Sequence, residues 1–253
     1  MVNEVHPIYG QLLALIGEHR FATTHQLTRL TVQLYGSRKS AIRQTLRHLR
    51  ELRSQHLVTK LERRVGGWQG GSQVAIWTLT TRGRRELTGS RGRLRPHHHS
   101  TTFSEHSLAV TEARVLLHES TTDLGLQLTA QSEPACWRHY LDPHGAPVAL
   151  KPDLTAMVTS NEFVDRYFVE VDRATENPAR VIRKCWQYVQ YRRSGTEQDR
   201  YGVFPAVVWV VPNAKRHEQL TRYIREEKLP GEMFIVITPD QFKPLVRDGP
   251  PAT

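Results

Sequence analysis

A change in the spacing of apolar residues within the first 90 residues constrains the fold of this chain most. Up to residue 56 the apolar residues recur at helical spacing in three segments, at about 7–19, from Thr24 to the break at Gly36, and at 37–56. Residues 57–79 then contain two β-rich runs around a turn with four glycines. The sequence therefore predicts three helices followed by a β-hairpin.

The third predicted helix is strongly basic. Its apolar stripe of Ile42, Leu46 and Leu49 is expected to pack inward. Residues 37–50 contain six basic side chains, if His48 is counted, and no Asp or Glu, whereas a surface that serves only solubility mixes both signs. The side chains expected to face solvent are Arg38, Lys39, Arg43, Gln44, Arg47 and Arg50.

The order of elements, together with the segment WTLTTRGRREL at residues 77–87, resembles the winged helix-turn-helix domains of bacterial regulators. In such domains the third helix enters the major groove, and the hairpin, or wing, follows the phosphate backbone or the minor groove. The resemblance implies that the protein binds double-stranded DNA, and a merely solvated basic helix is the alternative. The residues predicted to contact DNA are Arg38, Lys39, Arg43, Gln44 and Arg47 on the helix and Arg63 and Arg64 on the wing.

The positive charge of the chain is concentrated at its N-terminal end. Residues 1–95 carry 17 Lys and Arg against 5 Asp and Glu, a net charge of +12, whereas the remaining residues carry 18 against 20, a net charge of −2. Such a concentration favours nucleic acid as a partner. No apolar run reaches the roughly 20 residues that a membrane-spanning helix needs, so a soluble cytoplasmic protein is expected.

The charge distribution also predicts two domains joined by a linker. Residues 88–104, TGSRGRLRPHHHSTTFS, are rich in Gly, Ser, Pro and basic residues, as linkers are. The predicted division is a winged-helix domain at 1–90, a linker at 91–103 and a second domain at 104–245. The three consecutive histidines that start at His97 are expected to be solvated, because neighbours on a loop cannot all converge on one metal ion.

The second predicted domain mixes helices and strands. The expected elements are, in order, a helix at 104–119, strands at 124–132, 151–159 and 165–172, a helix at 178–193, a buried strand at 203–211, a helix at 213–228 and a strand at 233–238. Together with the three helices and the hairpin, this order predicts an α+β protein.

Acidic residues on two of these strands resemble the motif of the PD-(D/E)XK nucleases. They are Pro152-Asp153 at the start of one strand and Glu170-Val171-Asp172 at the end of the next. The resemblance implies an α/β nuclease-like domain in which Asp153, Glu170 and Asp172 bind Mg²⁺ or Mn²⁺. Carboxylate oxygens suit these ions, which activate water and neutralise the charge that develops on a phosphodiester.

One position departs from that motif. The family has a Lys two residues after the Glu, and this chain has Asp172 there. Lys184 on the following helix could supply the missing ammonium group, and Gln187 and Tyr191 resemble the Gln-x-x-x-Tyr motif of RecB-type nucleases. The candidate catalytic residues are Asp153, Glu170, Asp172, Lys184 and Gln187.

Two interpretations of the acidic residues stay open. In a nuclease, an additional carboxylate from Glu105, Glu112 or Glu133 could supplement the metal shell. In a non-catalytic protein, Glu170 and Asp172 would simply form ion pairs with neighbouring arginines, namely Arg173, Arg180 or Arg183.

The winged helix combined with the run from His106 through Lys151-Pro152-Asp153 and Glu170-Val171-Asp172 to Tyr191 resembles the replication-relaxation family of plasmids and integrative elements. The resemblance implies a DNA-binding protein of a mobile element that acts in replication, mobilisation or their control. Two hypotheses follow: a Mg²⁺-dependent nuclease or nickase, and a non-enzymatic regulator or replication accessory factor whose degenerate nuclease fold serves interaction or dimerisation. A homodimer would match a palindromic DNA site.

Overall fold

The structure is a computed structural model that describes residues 7–62, 75–89, 101–175 and 177–250. The chain divides into two compact units, residues 1–115 and 116–253. Both contain helices and strands, so the predicted α+β class is confirmed. Each helix in the described ranges is too short or too polar to span a bilayer.

Several predicted features lie outside the described residues. They are the wing residues Arg63 and Arg64, the Gly-rich turn, the three histidines from His97 and the first part of the predicted linker.

The first unit begins with three helices, α1 at Pro7–His19, α2 at Thr24–Thr31 and α3 at Arg38–Ser54. A capping box starts α2, because the Thr23 hydroxyl accepts from the Gln26 N–H while the Gln26 side chain accepts from the Thr23 N–H. At the start of α3, the Ser37 hydroxyl accepts from the Ser40 N–H at 3.2 Å. Both caps satisfy backbone donors that have no partner within a helix.

A three-stranded antiparallel sheet and a short helix complete the first unit. The strands are β1 at Ala22–Thr23, β2 at Val58–Glu62 and β3 at Ala75–Leu79, in the order β1-β3-β2, and the helix is α4 at Thr81–Thr88. The predicted pairing of β2 with β3 is confirmed, and the two-residue strand β1 adds an edge that the sequence analysis did not predict.

One residue that was predicted to lie in the core of the first unit is exposed, so that prediction is wrong. Leu49 is fully buried and Leu46 packs partly buried against the core, but Ile42 is 47% exposed. The buried side of α3 runs instead through the small residues Ala41 and Thr45 and on to the larger His48, Leu49 and Leu52. Ile42 lies about 100° around the helix from Ala41, which turns it away from the core.

The second unit is built on a five-stranded mixed sheet. Its strands and an additional hairpin are β4 at Gln127–Ser132, β5 at Arg138–Leu141, β6 at Pro147–Leu150, β7 at Leu154–Thr159, β8 at Val164–Val171, β9 at Ala206–Val210 and β10 at Phe234–Ile237. The sheet order is β10-β9-β8-β7-β4, in which β4, β7 and β8 are antiparallel and β8, β9 and β10 are parallel. The hairpin β5–β6, which the sequence analysis missed, forms a separate two-stranded sheet.

Among the described residues, five α-helices belong wholly or partly to this unit. They are α5 at Thr101–Asp123, which begins in the first unit, α6 at Pro178–Arg193, α7 at Thr196–Tyr201, α8 at Ala214–Glu226 and α9 at Phe242–Asp248. α6 and α7 connect β8 to the parallel strand β9, and the buried residues of α6 pack with Phe168, Val207 and Trp209 in the core. This packing fixes α6 beside the end of β8, where the predicted acidic residues lie.

Candidate nucleic-acid interface and carboxylate site

The basic side chains of α3 form one exposed face. Arg38, Lys39, Arg43, Arg47 and Arg50 are all exposed, as the sequence predicts. The half-buried Gln44 accepts a hydrogen bond from Arg47 Nη2 at 2.8 Å and donates one to Ser40 Oγ at 3.3 Å. The face therefore offers five cations around an oriented side-chain amide.

Ile42 adds an apolar side chain to this face. It lies one helical turn after Arg38 and Lys39, so its exposed methyl groups stand among the cationic side chains. Sequence analysis assigned Ile42 to the core, and the signal that could have corrected it is the run Ala41, Thr45, His48 at buried spacing.

Strand register brings Asp153 and Glu170 together in the second unit. In the antiparallel pair of β7 and β8, Leu154 is opposite Val169. Asp153, one residue before Leu154, therefore lies beside Glu170, one residue after Val169. The Val171 N–H donates to Asp153 Oδ2 at 2.8 Å, which ties the Asp153 carboxylate to the end of β8. The structure thus unites the two carboxylates that the motif singles out.

Two side chains of α6 contact the Glu170 carboxylate. Lys184 Nζ is 3.2 Å from Glu170 Oε1, and the Tyr188 hydroxyl donates a hydrogen bond to the same oxygen. Lys184 also donates to the Lys151 carbonyl oxygen at 2.6 Å. Lys184 and Tyr188 lie one turn apart on one face of α6, so a single helix supplies both groups.

Glu170 is 5% exposed, and its protonation follows from this burial. Removal from water raises the pKa of Glu170 to about 8, and the neighbouring Asp153 charge acts in the same direction. The Lys184 ammonium and the Tyr188 hydroxyl oppose this rise, because both favour the carboxylate form. The site therefore holds an acid that titrates near neutral pH, next to a lysine.

Asp172 has a different environment from the other two acids. It is 4% exposed, forms an ion pair with Arg216 at the start of α8, and accepts from the Ala174 N–H at 2.9 Å. Arg216 is itself held by a 2.8 Å hydrogen bond to Gln219. Lys184 is therefore a partner of Glu170 and Arg216 a partner of Asp172, and the sequence analysis named neither for an ion pair.

The structure gives other contacts for several of the remaining predicted residues. Gln187 is exposed on α6, and Tyr191 is buried and donates to Glu197 instead. Glu105 and Glu112 lie on the part of α5 that belongs to the first unit, where Glu112 binds Gln26 and Arg29. Glu133 accepts from Trp137 Nε1 at 3.2 Å.

Tyr188 is the site residue that sequence analysis missed. The resemblance to the Gln-x-x-x-Tyr motif favours Tyr191 instead, which lies three residues further on. The spacing of four residues from Lys184 is the signal that could have found Tyr188.

No group of three or more His, Cys, Asp or Glu side chains that could hold a metal occurs among the residues that the structure describes. The acidic centre therefore consists of the pair Asp153 and Glu170. Mg²⁺ is often bound through one or two carboxylates, with water and substrate phosphate as its other ligands. Two carboxylates that meet at a strand end fit an ion held in that manner.

Comparison with known proteins identifies the family. The sequence profile of the replication-relaxation family matches residues 13–207, which is most of the chain. The chain belongs to the replication-relaxation family. The match contains both the basic helix α3 and the residues Asp153, Glu170 and Lys184.

One solved structure shows a more distant likeness. The chain is similar to Bacillus subtilis PadR in complex with operator DNA, with 16% sequence identity over 47% of this chain and 72% of that chain and a TM-score of 0.28. That score does not establish a shared fold. A comparison with curated proteins gives no match.

Proposed function

We propose that this member of the replication-relaxation family binds double-stranded DNA through α3, as a protein of a mobile element that acts in replication, mobilisation or their control. The observation that carries the proposal is the exposed face of Arg38, Lys39, Arg43 and Arg47, on a helix without an acidic residue from 37 to 50. The hairpin of β2 and β3 follows that helix, as a wing does in winged-helix proteins.

The chemistry of the face suits a duplex. Arginine and lysine side chains neutralise phosphates and release the counterions condensed on DNA, which supplies affinity without sequence preference. Arginine can also bind guanine through two hydrogen bonds, and a side-chain amide can bind adenine in the same way. The Gln44 amide, oriented by Arg47 and Ser40, is the group on this face best suited to reading a base.

The test is the salt dependence of duplex binding. Arg43→Ala and Arg47→Ala should each weaken binding and lower the slope of log affinity against log salt by about 0.9, because each removes one phosphate contact. Arg222→Ala on α8 is the matched control, since its side chain is also largely exposed. Unchanged affinity and slope in both α3 variants would overturn the assignment of this face.

We further propose that the second unit is a nuclease-like domain whose centre is Asp153, Glu170 and Lys184. Apart from the β5–β6 hairpin and the short helix α7, the elements follow the order α5, β4, β7, β8, α6, β9, and this order and the convergence of the two carboxylates support the assignment. Asp153 and Glu170 would hold Mg²⁺ or Mn²⁺, which supplies charge neutralisation and activation of water at a phosphodiester.

The residues of the chain contribute positioning and charge. Val171 fixes Asp153 through its N–H, and Tyr188 fixes Glu170 through its hydroxyl. Lys184 brings an ammonium group to Glu170 from α6, and so supplies from a helix the cation that the motif places two residues after the glutamate. Its charge would also favour an approaching phosphate.

A second candidate is a non-enzymatic regulator or accessory factor, and one specific observation favours it. The ion pair of Asp172 with Arg216 engages the third carboxylate, so the centre has two acids rather than three. In this case the second unit would serve interaction or dimerisation.

Nicking of supercoiled plasmid separates the two candidates. The protein is incubated with plasmid in Mg²⁺, in Mn²⁺ or in EDTA, beside Asp153→Ala, Glu170→Gln and the exposed-carboxylate control Glu162→Ala. Metal-dependent nicking that is lost in the first two variants and kept in the control supports the nuclease. Tight DNA binding without nicking in either metal supports the non-enzymatic candidate.

A further inference from the structure

Helix α6 is a second basic helix, and it belongs to the unit without excess positive charge. Residues 178–193 contain five Lys and Arg and no Asp or Glu. By contrast, α8 of the same unit, residues 214–226, combines four Lys and Arg with two Glu, as a solubility surface does. Lys184 contacts the carboxylate pair described above, and Arg192 lies 3.3 Å from Glu232. The charge of α6 therefore exceeds what the carboxylate site requires.

The exposed side of α6 also presents an aromatic ring. While Val181, Cys185 and Tyr188 face the core, an exposed stripe at spacings of three and four residues runs along the opposite side. Its members are Arg183, Trp186, Gln187, Gln190 and Arg193. Trp186 is 36% exposed, although tryptophan is usually highly buried.

We infer that this stripe binds single-stranded DNA, with Trp186 stacked on an unpaired base and Arg183 and Arg193 on the flanking phosphates. An indole ring gains stacking energy from the flat face of any base, and a positively charged surface follows the backbone. In a duplex those faces are covered by neighbouring base pairs, so an exposed tryptophan suits an unpaired strand. Nucleic acid is the occupant with complementary charge, because the stripe contains cations and amides but no acid.

The inference deepens the proposed function because it names the form of DNA that the second unit binds. It rests on that function only where the bound strand is said to reach the carboxylate site. Lys184 lies three residues before Gln187 on α6, so it borders the Gln187 side of the stripe, about 160° around the helix from Trp186. A strand stacked on Trp186 would have to cross the stripe over Gln187 to reach Lys184 and Glu170. The nuclease-like site would then act on unpaired DNA, while α3 holds duplex.

The experiment measures binding of the full chain to a fluorescein-labelled oligo(dT) of about 12 nucleotides, a length in the range that single-strand binding sites cover. Trp186→Ala should weaken oligo(dT) binding roughly ten- to a hundred-fold, and Trp186→Phe should retain most of the affinity. Phe163→Ala is the matched control, because Phe163 is also 36% exposed in the same unit, and it should bind like the parent protein. Duplex affinity should be the same in all four proteins.

Three results would overturn the inference. They are oligo(dT) affinity unchanged in Trp186→Ala, an equal loss of duplex affinity in that variant, and tighter binding of an oligo(rU) of the same length. The double variant Arg43→Ala/Arg47→Ala distinguishes this inference from the role of α3. If it leaves duplex affinity unchanged, the proposal for α3 fails, and the dependence of oligo(dT) binding on Trp186 still decides the inference for α6.

Discussion

Glu170 combines burial with a cationic neighbour, and this combination determines when it ionises. Its pKa is raised to about 8, chiefly by burial and then by Asp153, even though Lys184 and Tyr188 favour the charged form. The folded protein therefore binds a proton at Glu170 over a pH range in which an unfolded chain has released it. A divalent cation at the pair would compete with that proton, because metal ligands bind in their deprotonated form.

This shift predicts how stability depends on pH. In EDTA, the free energy of unfolding of the second unit should fall as the pH rises from about 4.5 to about 8, since over that window the unfolded state releases a proton that the folded state keeps. Glu170→Gln should remove most of this dependence, because glutamine does not titrate. Urea titrations at several pH values measure it, and Asp240→Asn, at an exposed carboxylate, is the control. The same slope in Glu170→Gln and in the parent protein would contradict the raised pKa.

Some residues of the candidate site could be predicted from sequence patterns, and others could not. Asp153 and Glu170 could be predicted because a motif places them at the start of one strand and the end of the next. The antiparallel pairing of β7 with β8 then brings these two positions side by side. The partner of Asp172 could not be predicted, because Arg216 is 44 residues further along the chain and meets it only through tertiary packing. Ile42 was misassigned because hydrophobicity alone does not decide which side of α3 faces the core.

At the scale of elements, a glycine allows α4 to pack against the backbone of Leu57, the residue just before β2. Gly83 is buried in the first turn of α4, where its N–H donates to the Thr80 hydroxyl at 3.0 Å. A Cβ atom at Gly83 would lie 1.9 Å from the Leu57 carbonyl oxygen. That oxygen also accepts from the Thr80 N–H at 3.0 Å, so the backbone at Leu57 is held from two sides.

Gly83→Ala should therefore destabilise the first unit, even though alanine favours helices. The clash is with backbone that cannot move aside cheaply, so a loss of about 2 kcal/mol or more is expected, typical of overpacking. Gly10→Ala in α1 is the matched control, because a Cβ atom there meets nothing within 4 Å. The control should gain up to about 1 kcal/mol from helix propensity. Thermal unfolding measures both, and equal melting temperatures would contradict the predicted clash.

The strands that sequence analysis missed lack a regular local pattern of apolar residues. β1 has two residues and exists because β3 offers an edge to pair with, so no local periodicity marks it. β5 and β6 alternate less regularly and form their own small sheet outside the main one, with a turn at Asp142 and Gly145. The bounds of α1 were predicted from helical spacing, and α3, which starts after the local cap signal Ser37, was predicted to within two residues at each end.

At the scale of the whole molecule, charge and core are both divided between the two units. The net charge of +12 lies in residues 1–95, and each unit has its own apolar core. A ligand that binds one folded unit stabilises that unit by mass action, by about 2.7 kcal/mol at a hundred times its dissociation constant. Two ligands with different chemistry should therefore act on different parts of the unfolding curve.

Calorimetry of the full chain should resolve two transitions that respond separately. Duplex DNA in EDTA should raise the melting temperature of the first unit, because α3 provides the cations. Mg²⁺ without DNA should raise that of the second, because Asp153 and Glu170 are its proposed ligands. Leu49→Ala and Val207→Ala identify the transitions, since each residue is fully buried in one core. A single transition that both ligands raise would contradict independent units, and no effect of Mg²⁺ on either transition would leave DNA binding by α3 as the function that the protein retains.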